Sequence, residues 1–429
     1  MSEKRSDRKS IIAWWMYDWA NSAFILTVSA GFFPVFFKSF WCSGVDATVS
    51  TARLGYGNAI AGLIVAFFSP FLGAVADVGR AKKKLLGLFA LLGVCSTFSL
   101  YYIPQGAWLW ALLMYLTASV GYNSANIFYD ALLVDIADKK HMDSISATGY
   151  SIGYLGCGLL FLVNVLMVNS PEYFGLPDAS AAVKVSFIIV AIWWLLFSLP
   201  LFRFVPERQG NRKQLKIIRA SIASAFATGR KIMSDKVLLL FLLAYWLYID
   251  GVHTVVFMAV DFGMSIGIKA SSLMIALLVV QFVGLPSSFL FGKLAERFGA
   301  VVMIIVGNII YMLICFEGAL FLRTSTQYII LGGCIGLAQG GIQALSRSYF
   351  GKLVPPDASA EYFGFFNIVS RFAIIIGPAI VGSIVLITKK AGLSSVMASR
   401  TGMSSLTLLF VGGSILLLLS SRMKKGDET

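Results

Sequence analysis

Charged residues are scarce in this sequence. Asp, Glu, Lys and Arg together make up 13% of the 429 residues, whereas 58% of the residues are hydrophobic. So few charges cannot cover the surface of a water-soluble globule of this size. The composition therefore excludes an ordinary soluble domain and favours a protein embedded in a bilayer.

The sequence also has little that enzymes and redox proteins need. Its five cysteines have neither paired nor metal-type spacing, and its two histidines, His141 and His253, lie in a predicted loop and a distant hydrophobic run. No Gly-x-x-x-x-Gly-Lys-Ser/Thr phosphate loop occurs, so direct use of ATP is not expected. We predict a protein that is not an enzyme and that binds no metal and no cofactor.

Long hydrophobic runs are abundant. A transmembrane helix needs roughly 20 apolar residues, and about twelve runs of that size are separated by short polar links. They cover residues 11–40, 52–76, 84–104, 107–134, 145–169, 180–204, 237–262, 269–292, 299–321, 326–350, 361–388 and 401–421. We predict an all-α integral membrane protein with twelve transmembrane helices.

The basic residues indicate the orientation of the chain. A net charge of +14 would suit a nucleic-acid partner if the bases lay on one soluble domain, but they alternate between links. Links on the side of the N-terminus carry about 26 Lys and Arg, and the opposite links about 8. We therefore expect both termini to be cytoplasmic and no nucleic-acid partner. Short loops without a glycosylation sequon favour a bacterial inner membrane, and we expect a monomer in this lipid bilayer.

A repeated turn divides the chain into two pseudo-symmetric halves. Gly73 to Lys84 joins two hydrophobic runs, and a related turn begins at Gly292, 292 − 73 = 219 positions later. The predicted division is a six-helix half over residues 1–204, a basic cytoplasmic linker over 205–236 and a second six-helix half over 237–429. In the linker, bases interleave with apolar residues, which indicates either an amphipathic helix on the cytoplasmic leaflet or a simple basic tether. These bases are Lys213, Lys216, Arg219, Arg230 and Lys231.

The two turns are candidate gating elements. Gly73 allows close approach of neighbouring helices, Asp77 can cap a helix or bind an arginine, and Gly79 is expected to supply the turn before Arg80. The second turn repeats the pattern with Glu296 and Arg297. We expect five of these residues to take part in gating: Gly73, Asp77, Arg80, Glu296 and Arg297.

Polar side chains interrupt the first and fourth runs. Asp18 is predicted about 10 Å into the membrane, where a carboxylate must be paired, protonated or facing water, and Asn21 lies on the same helix face. Asn123, Asn126 and Asp130 form one stripe on the fourth helix. The asparagines either join helices or line a substrate path, and Asp130 favours a functional role or a gating ion pair.

The seventh run carries the candidate proton site. Asp250 and His253 are three residues apart near the middle of the membrane, and an imidazole next to an acid can exchange a proton with a cavity. Asp18 is a second candidate for proton coupling, and Tyr245 is expected to line the substrate cavity. A hydrogen-bonded histidine that only packs in the interior is the alternative for His253.

The tenth run places Gln339, Gln343 and Arg347 on one broad face as candidate cavity residues. Arg347 follows Asp130 by 347 − 130 = 217 positions, so one half has a base where the other has an acid. Arg347 could pair with Asp130 or Asp18 as a latch, or it could bind an anionic solute, because guanidinium holds carboxylates bidentately.

The eleventh run adds two further features. Arg371 is another candidate partner for the latch, and Gly377 with Pro378 is expected to bend this helix.

Four strings in the sequence are distinctive: YDWANSAF from Tyr17, FYDALL from Phe128, QGGIQALSRS from Gln339 and FGF from Phe363. They resemble the vacuolar (autophagy-related) amino-acid effluxer-like family of the major facilitator superfamily. The resemblance implies two six-helix halves that alternate access to a central cavity lined by helices 1, 4, 7 and 10. Fungal members of the family are linked to amino-acid efflux from the vacuole.

We therefore expect a secondary active transporter of a small polar solute, amino acids first, driven by protons or another ion. Two alternatives stay open at this point. One is transport of a larger anionic compound such as a metal-chelating carboxylate, and the other is movement of lipid by the polar stripe between the halves.

Overall fold

The computed structural model describes residues 7–207, 217–265, 270–373 and 376–427, and over these ranges the regular structure is helical. Lys213 and Lys216 of the predicted linker helix lie outside the described residues. The α-helices are α1 (Arg8–Ala23), α2 (Phe33–Phe36), α3 (Ala47–Gly79), α4 (Lys82–Ser99), α5 (Trp108–Ile136), α6 (Met142–Asn169), α7 (Ala179–Phe204), α8 (Ile217–Ser234), α9 (Lys236–Ser265), α10 (Ala270–Phe298), α11 (Ala300–Leu320), α12 (Ser325–Leu353), α13 (Ser359–Phe372), α14 (Ile376–Lys390), α15 (Ser395–Ser404) and α16 (Thr407–Asp427).

The predicted twelve-helix membrane architecture is confirmed. In the described ranges, eleven helical segments are long and apolar enough to cross a membrane, and each coincides with one of the predicted runs. The remaining run is α5, which has 29 residues and is therefore also long enough to span. Asn123, Asn126 and Asp130 make α5 more polar than the other spans.

The first span departs from regular α-helix. It continues from α1 through a π-helical segment, Phe24–Phe32, the short α2 and a second π-helical segment, Phe37–Trp41. A π-turn adds a residue per turn, so side chains after Ala23 face directions that an α-helical pattern does not predict, and such segments are frequent at functional sites. The apolar pattern of this run gave no sign of the change.

The eleventh span is interrupted, although its sequence predicts one continuous run. Helix α13 ends at Phe372 and α14 begins at Ile376, with a turn at Ala373. The expected bend at Gly377 and Pro378 therefore falls one residue inside a new helix, where proline is favoured because it lacks the N–H that the first turn leaves unpaired.

The chain forms two compact units, and each contains a short segment from the other sequence half. The first comprises Met1–Asp138, Ile152–Ala223 and Pro355–Gly364, and the second comprises Lys139–Ser151, Ser224–Val354 and Phe365–Thr429. Aromatic side chains fill both cores, as in the stack of Trp14 on Tyr129 in the first unit (4.5 Å between ring centroids). The predicted division at residues 204 and 237 stays a prediction.

The two repeated turns use the same position for their left-handed residue. The structure corrects the expectation that Gly79 supplies the first turn, because α3 continues through Gly79 and Arg80 has a φ of 49°. In the second turn Gly299 has a φ of 89°, and 299 − 80 = 219 is the repeat offset. The left-handed position is therefore repeated. In the first turn an arginine occupies it, although a positive φ costs a residue with a Cβ about 1–2 kcal/mol.

Candidate functional site

A buried lysine organises the first turn and was not singled out from the sequence. The Lys82 side chain is 6% exposed, and its Nζ lies 3.0 Å from Asp135 Oδ2 and 3.4 Å from Asp77 Oδ1. The same ammonium donates a hydrogen bond to the Ser359 hydroxyl at 2.7 Å. Lys82 stands in a run of three lysines, so the sequence alone does not separate it from its two neighbours, of which Lys83 is half-buried and Lys84 is exposed.

A third carboxylate, that of Glu207, completes this cluster. The Lys82 N–H donates to Glu207 Oε1 at 2.6 Å, and burial raises the pKa of Glu207, which lies outside the spans. Asp77 Oδ2 accepts the Glu361 N–H at 2.8 Å, so Asp77 binds the first turn of α13, where a negative charge is favoured. The predicted gating residue Asp77 thus joins the end of α3, the start of α4 and the start of α13.

The predicted close approach at Gly73 is present in the first unit, and Gly292 has an equally close approach in the second. In the first unit, a Cβ on Gly73 would overlap the Ala360 carbonyl oxygen and lie 2.7 Å from the Glu361 Cα. In the second unit, a Cβ on Gly292 would lie 2.5 Å from the Ala147 Cβ and 3.1 Å from the Ser144 Cα. Only glycine allows these backbones to come so near.

The acids of the two turns have different environments. Asp77 is almost completely buried, whereas its repeat counterpart Glu296 (296 − 77 = 219) and the adjacent Arg297 are exposed. The Arg297 guanidinium lies 5.3 Å from the Phe298 ring. A gating role for Glu296 and Arg297 stays a prediction.

The polar residues of the first and fourth spans meet inside the first unit. Asn21 is buried, and its Nδ2 donates to Asn126 Oδ1 at 2.7 Å. Asn123 donates to the Ser119 carbonyl one turn earlier, at 2.8 Å. The asparagines were predicted either to join helices or to line a substrate path. The hydrogen bond between Asn21 and Asn126 joins α1 to α5 and so supports the first interpretation for these two residues.

The two acids of these spans are placed differently. Asp18 is 8% exposed. It lies against α6, because the Asp18 backbone oxygen would be 3.3 Å from a Cβ placed on Gly153. Asp130 is half-buried on α5. The cavity, coupling and latch roles of Asp18 and Asp130 stay predictions.

Asp250 holds the beginning of α14. Its fully buried carboxylate accepts the N–H groups of Ile376 and Gly377, both at 3.0 Å, and the Thr254 hydroxyl at 3.2 Å. A carboxylate satisfies orphan donors at a helix N-terminus and is stabilised there by the helix dipole. Gly377 leaves room for this contact, because a Cβ there would overlap Thr254 Oγ1 and lie 2.7 Å from Asp250 Oδ1.

His253 and Arg371 lie at the same interruption. His253 is near the Ala373 backbone and close enough to the Arg371 guanidinium for their charges to interact. The structure therefore brings together three residues that the sequence placed on two different spans. Tyr245, one turn before Asp250, is buried and stacks on Phe366 with 4.1 Å between ring centroids.

Arg347 is buried on α12 and binds the start of α6. Its Nε donates to the Ser146 hydroxyl at 2.9 Å, its Nη2 donates to the Ser146 carbonyl at 3.0 Å, and its guanidinium lies 4.5 Å from the centre of the Tyr150 ring. One turn earlier on α6, the Asp143 carboxylate accepts hydrogen bonds from the Ser348 hydroxyl at 2.6 Å and from Lys352 Nζ at 2.5 Å. Asp143, Ser146 and Tyr150 were missed from the sequence because they precede or begin an apolar run.

Gln339 and Gln343 lie on the same helix as Arg347 and are half-buried. Gln339 Oε1 is buried and has no hydrogen-bond partner among the described residues. A buried amide oxygen without a donor costs free energy, so this position suits a ligand with a donor group. The latch of Arg347 with Asp130 or Asp18 stays a prediction, and so does Arg371 as another partner in this latch.

This fold is that of the major facilitator superfamily, a class of membrane transporters. The structure of the proton:xylose symporter XylE matches it with a TM-score of 0.70 over 95% of this chain and 94% of that one, at 13% sequence identity. The expected fold class is therefore confirmed.

The chain belongs to the family described as "Vacuole effluxer Atg22 like", whose model matches residues 43–429. The uncharacterized MFS-type transporter YxiO of Bacillus subtilis is 42% identical over 407 residues, 94% of this chain and 93% of that protein. Autophagy-related protein 22 of Coccidioides immitis is 21% identical over 500 residues, 88% of this chain and 82% of that protein. The resemblance found from the residue strings is confirmed, and the chain is a multi-pass membrane transporter, not an enzyme.

Proposed function

We propose that this protein is a proton-coupled secondary transporter that moves small polar solutes, amino acids first, by alternating access. The observation that carries the proposal is the Asp250 carboxylate, which is buried within a span and binds the N-terminus of an interrupted helix. A buried ionisable residue inside a span is costly and marks a functional site more often than a structural one. The family description, vacuole effluxer, supports a transport function. The amino-acid link of fungal members, which the resemblance of the sequence strings implies, supports the solute class.

The contacts of Asp250 supply a way to couple a proton to a helix. An ionised carboxylate only accepts hydrogen bonds, and here it accepts from Ile376, Gly377 and Thr254. A proton on one oxygen turns that oxygen into a donor and removes the charge that attracts the helix N-terminus. Proton binding would therefore weaken the contact between Asp250 and the N-terminus of α14. His253 and Arg371 lie beside this contact, where His253 would exchange the proton and Arg371 would compensate the carboxylate charge.

We assign the solute contacts to the polar face of α12 and to the first and fourth spans. Gln339 offers an acceptor, and Gln343 and Arg347 follow at intervals of one turn. Asp18, Asn21, Asn123, Asn126 and Tyr245 are the further cavity candidates. In this proposal both termini are cytoplasmic, the protein is a monomer in a bacterial inner membrane, and Asp130 with Arg347 closes the cytoplasmic gate.

A binding panel tests the solute class. We expect amino acids to raise the melting temperature of the detergent-solubilised protein, and Arg347→Ala to weaken that binding by about tenfold, or about 1.4 kcal/mol. The reason is that the planar guanidinium can hold a solute carboxylate bidentately. Arg347→Lys should recover only part of the affinity.

The matched control is Arg323→Ala, which removes an exposed arginine just before the same helix α12 and should leave the shift unchanged. A shift with organic acids or metal chelates but not with amino acids would move the larger anionic solutes to first place. No shift with any solute would contradict the proposed solute class and favour movement of lipid.

A further inference from the structure

Helix α8 is fixed at the surface of the membrane by its connection to the next span. It ends at Ser234, and α9 begins at Lys236, so a single residue separates the two helices. That residue, Asp235, caps α9 by accepting the N–H groups of Val237 at 2.9 Å and Leu238 at 3.1 Å. The end of α8 therefore lies where a membrane-spanning helix starts.

One face of α8 packs on the protein. Ala225, Thr228 and Ile232 are buried at helical spacing, and a Cβ on Gly229 would lie 3.2 Å from the Phe365 ring. This face is mostly small, so the helix lies close to the residues beneath it. It accounts for only part of the apolar content of α8.

A second face of α8 is apolar and exposed. Ile222, Phe226 and Met233 are 43%, 70% and 73% exposed, and they lie within about 40° of one another around the helix. In water such a stripe would be unfavourable, since large apolar side chains gain free energy of burial only when they are removed from water. Because α8 is not a span, the stripe needs a covering other than the bilayer core.

The charge around this stripe is of one sign. The sequence of α8 contains Arg219, Arg230 and Lys231 and no acidic residue. Arg230 is exposed, and it follows Phe226 by four positions and precedes Met233 by three, so it borders the stripe. Apolar side chains next to arginine, on a helix held at the surface, match the boundary between lipid headgroups and acyl chains.

We propose that α8 binds the surface of an anionic lipid leaflet, with Ile222, Phe226 and Met233 inserted among the acyl chains and Arg230 bound to phosphate groups. The long stem of Arg230 reaches the headgroups while the stripe stays below them. The lipid surface is then a third ligand of the protein, separate from the solute and the proton. It would hold the linker between the two six-helix halves on the membrane.

Hydrogen exchange of the full-length protein in nanodiscs tests this inference. We expect the amides of α8 to exchange about fivefold or more slowly in discs that contain one-quarter phosphatidylglycerol than in pure phosphatidylcholine. Arg230→Gln should lose the difference, because the phosphate groups then lack the cation that borders the stripe. Phe226→Ser should reduce protection in both lipids.

The control is Lys389→Gln with Lys390→Gln, which removes two adjacent exposed cations from the end of α14 and should keep the lipid effect. Equal exchange in the two lipids would overturn the proposal. Inorganic phosphate added in detergent should not protect α8, and protection by phosphate alone would show an anion site in place of a membrane surface. If the variants keep the melting temperature of the unsubstituted protein, faster exchange in α8 reports loss of lipid binding by α8 and not unfolding of the whole protein.

Discussion

We expect Lys82→Met to lower the free energy of unfolding by about 3–5 kcal/mol and to abolish transport. The substitution keeps most of the length of the side chain but removes the ammonium that Asp77 and Asp135 share inside the first unit. A buried carboxylate that loses its cation keeps its desolvation cost without the compensating attraction. Thermal unfolding of the detergent-solubilised protein measures the loss.

Lys84→Met is the matched control, because Lys84 is exposed two positions further along the same helix. It should change the melting temperature very little, since exposed charges contribute little to stability. Adding Asp135→Asn to Lys82→Met should recover part of the stability by removing one unpaired charge. Equal losses from Lys82→Met and Lys84→Met would refute the role given to this cluster.

Gly73→Ala forces α3 and α13 apart and should cost about 2–3 kcal/mol together with most of the transport rate. The new methyl group would overlap the backbone of Ala360 and Glu361, which cannot turn aside as a side chain can. The contact of Asp77 with the Glu361 N–H would lengthen at the same time.

Gly79→Ala provides the comparison within the same helix. No atom lies within 4 Å of a Cβ at Gly79 among the described residues, and its φ is not left-handed. It should therefore be neutral or slightly stabilising, since alanine lowers the entropy of the unfolded chain. If Gly73→Ala melts at the same temperature as Gly79→Ala, the close approach of α3 and α13 does not contribute to the stability of the protein.

The spans could be predicted from the sequence because one physical requirement determines them. A bilayer demands about 20 apolar residues in a helix, and that demand is readable at every run. The repeat at 219 positions was also readable, and it extends further than the sequence indicated. It relates Arg80 to Gly299, although the usual preference of glycine for positive φ favours Gly79.

The contacts of the candidate sites could not be predicted, because they depend on partners far apart in the chain. Nothing near Ile376 shows that Asp250, 126 positions earlier, will hold the start of a helix there. Lys82 likewise differs from Lys83 and Lys84 only in what surrounds it. Local patterns fix which residues are helical, whereas tertiary packing selects which of several similar side chains is buried and paired.

Solute flux into proteoliposomes under an imposed pH gradient tests proton-coupled transport most directly. The account predicts amino-acid flux that requires the gradient and stops with a protonophore. Asp250→Asn should reduce it at least about tenfold, because an amide cannot be ionised and cannot take up the proton. Asp178→Asn, the same change at the exposed cap of α7, should leave the flux intact. Three results would contradict the account. They are flux of the same rate with and without the pH gradient, flux unchanged by Asp250→Asn, and no flux under any pH or sodium gradient.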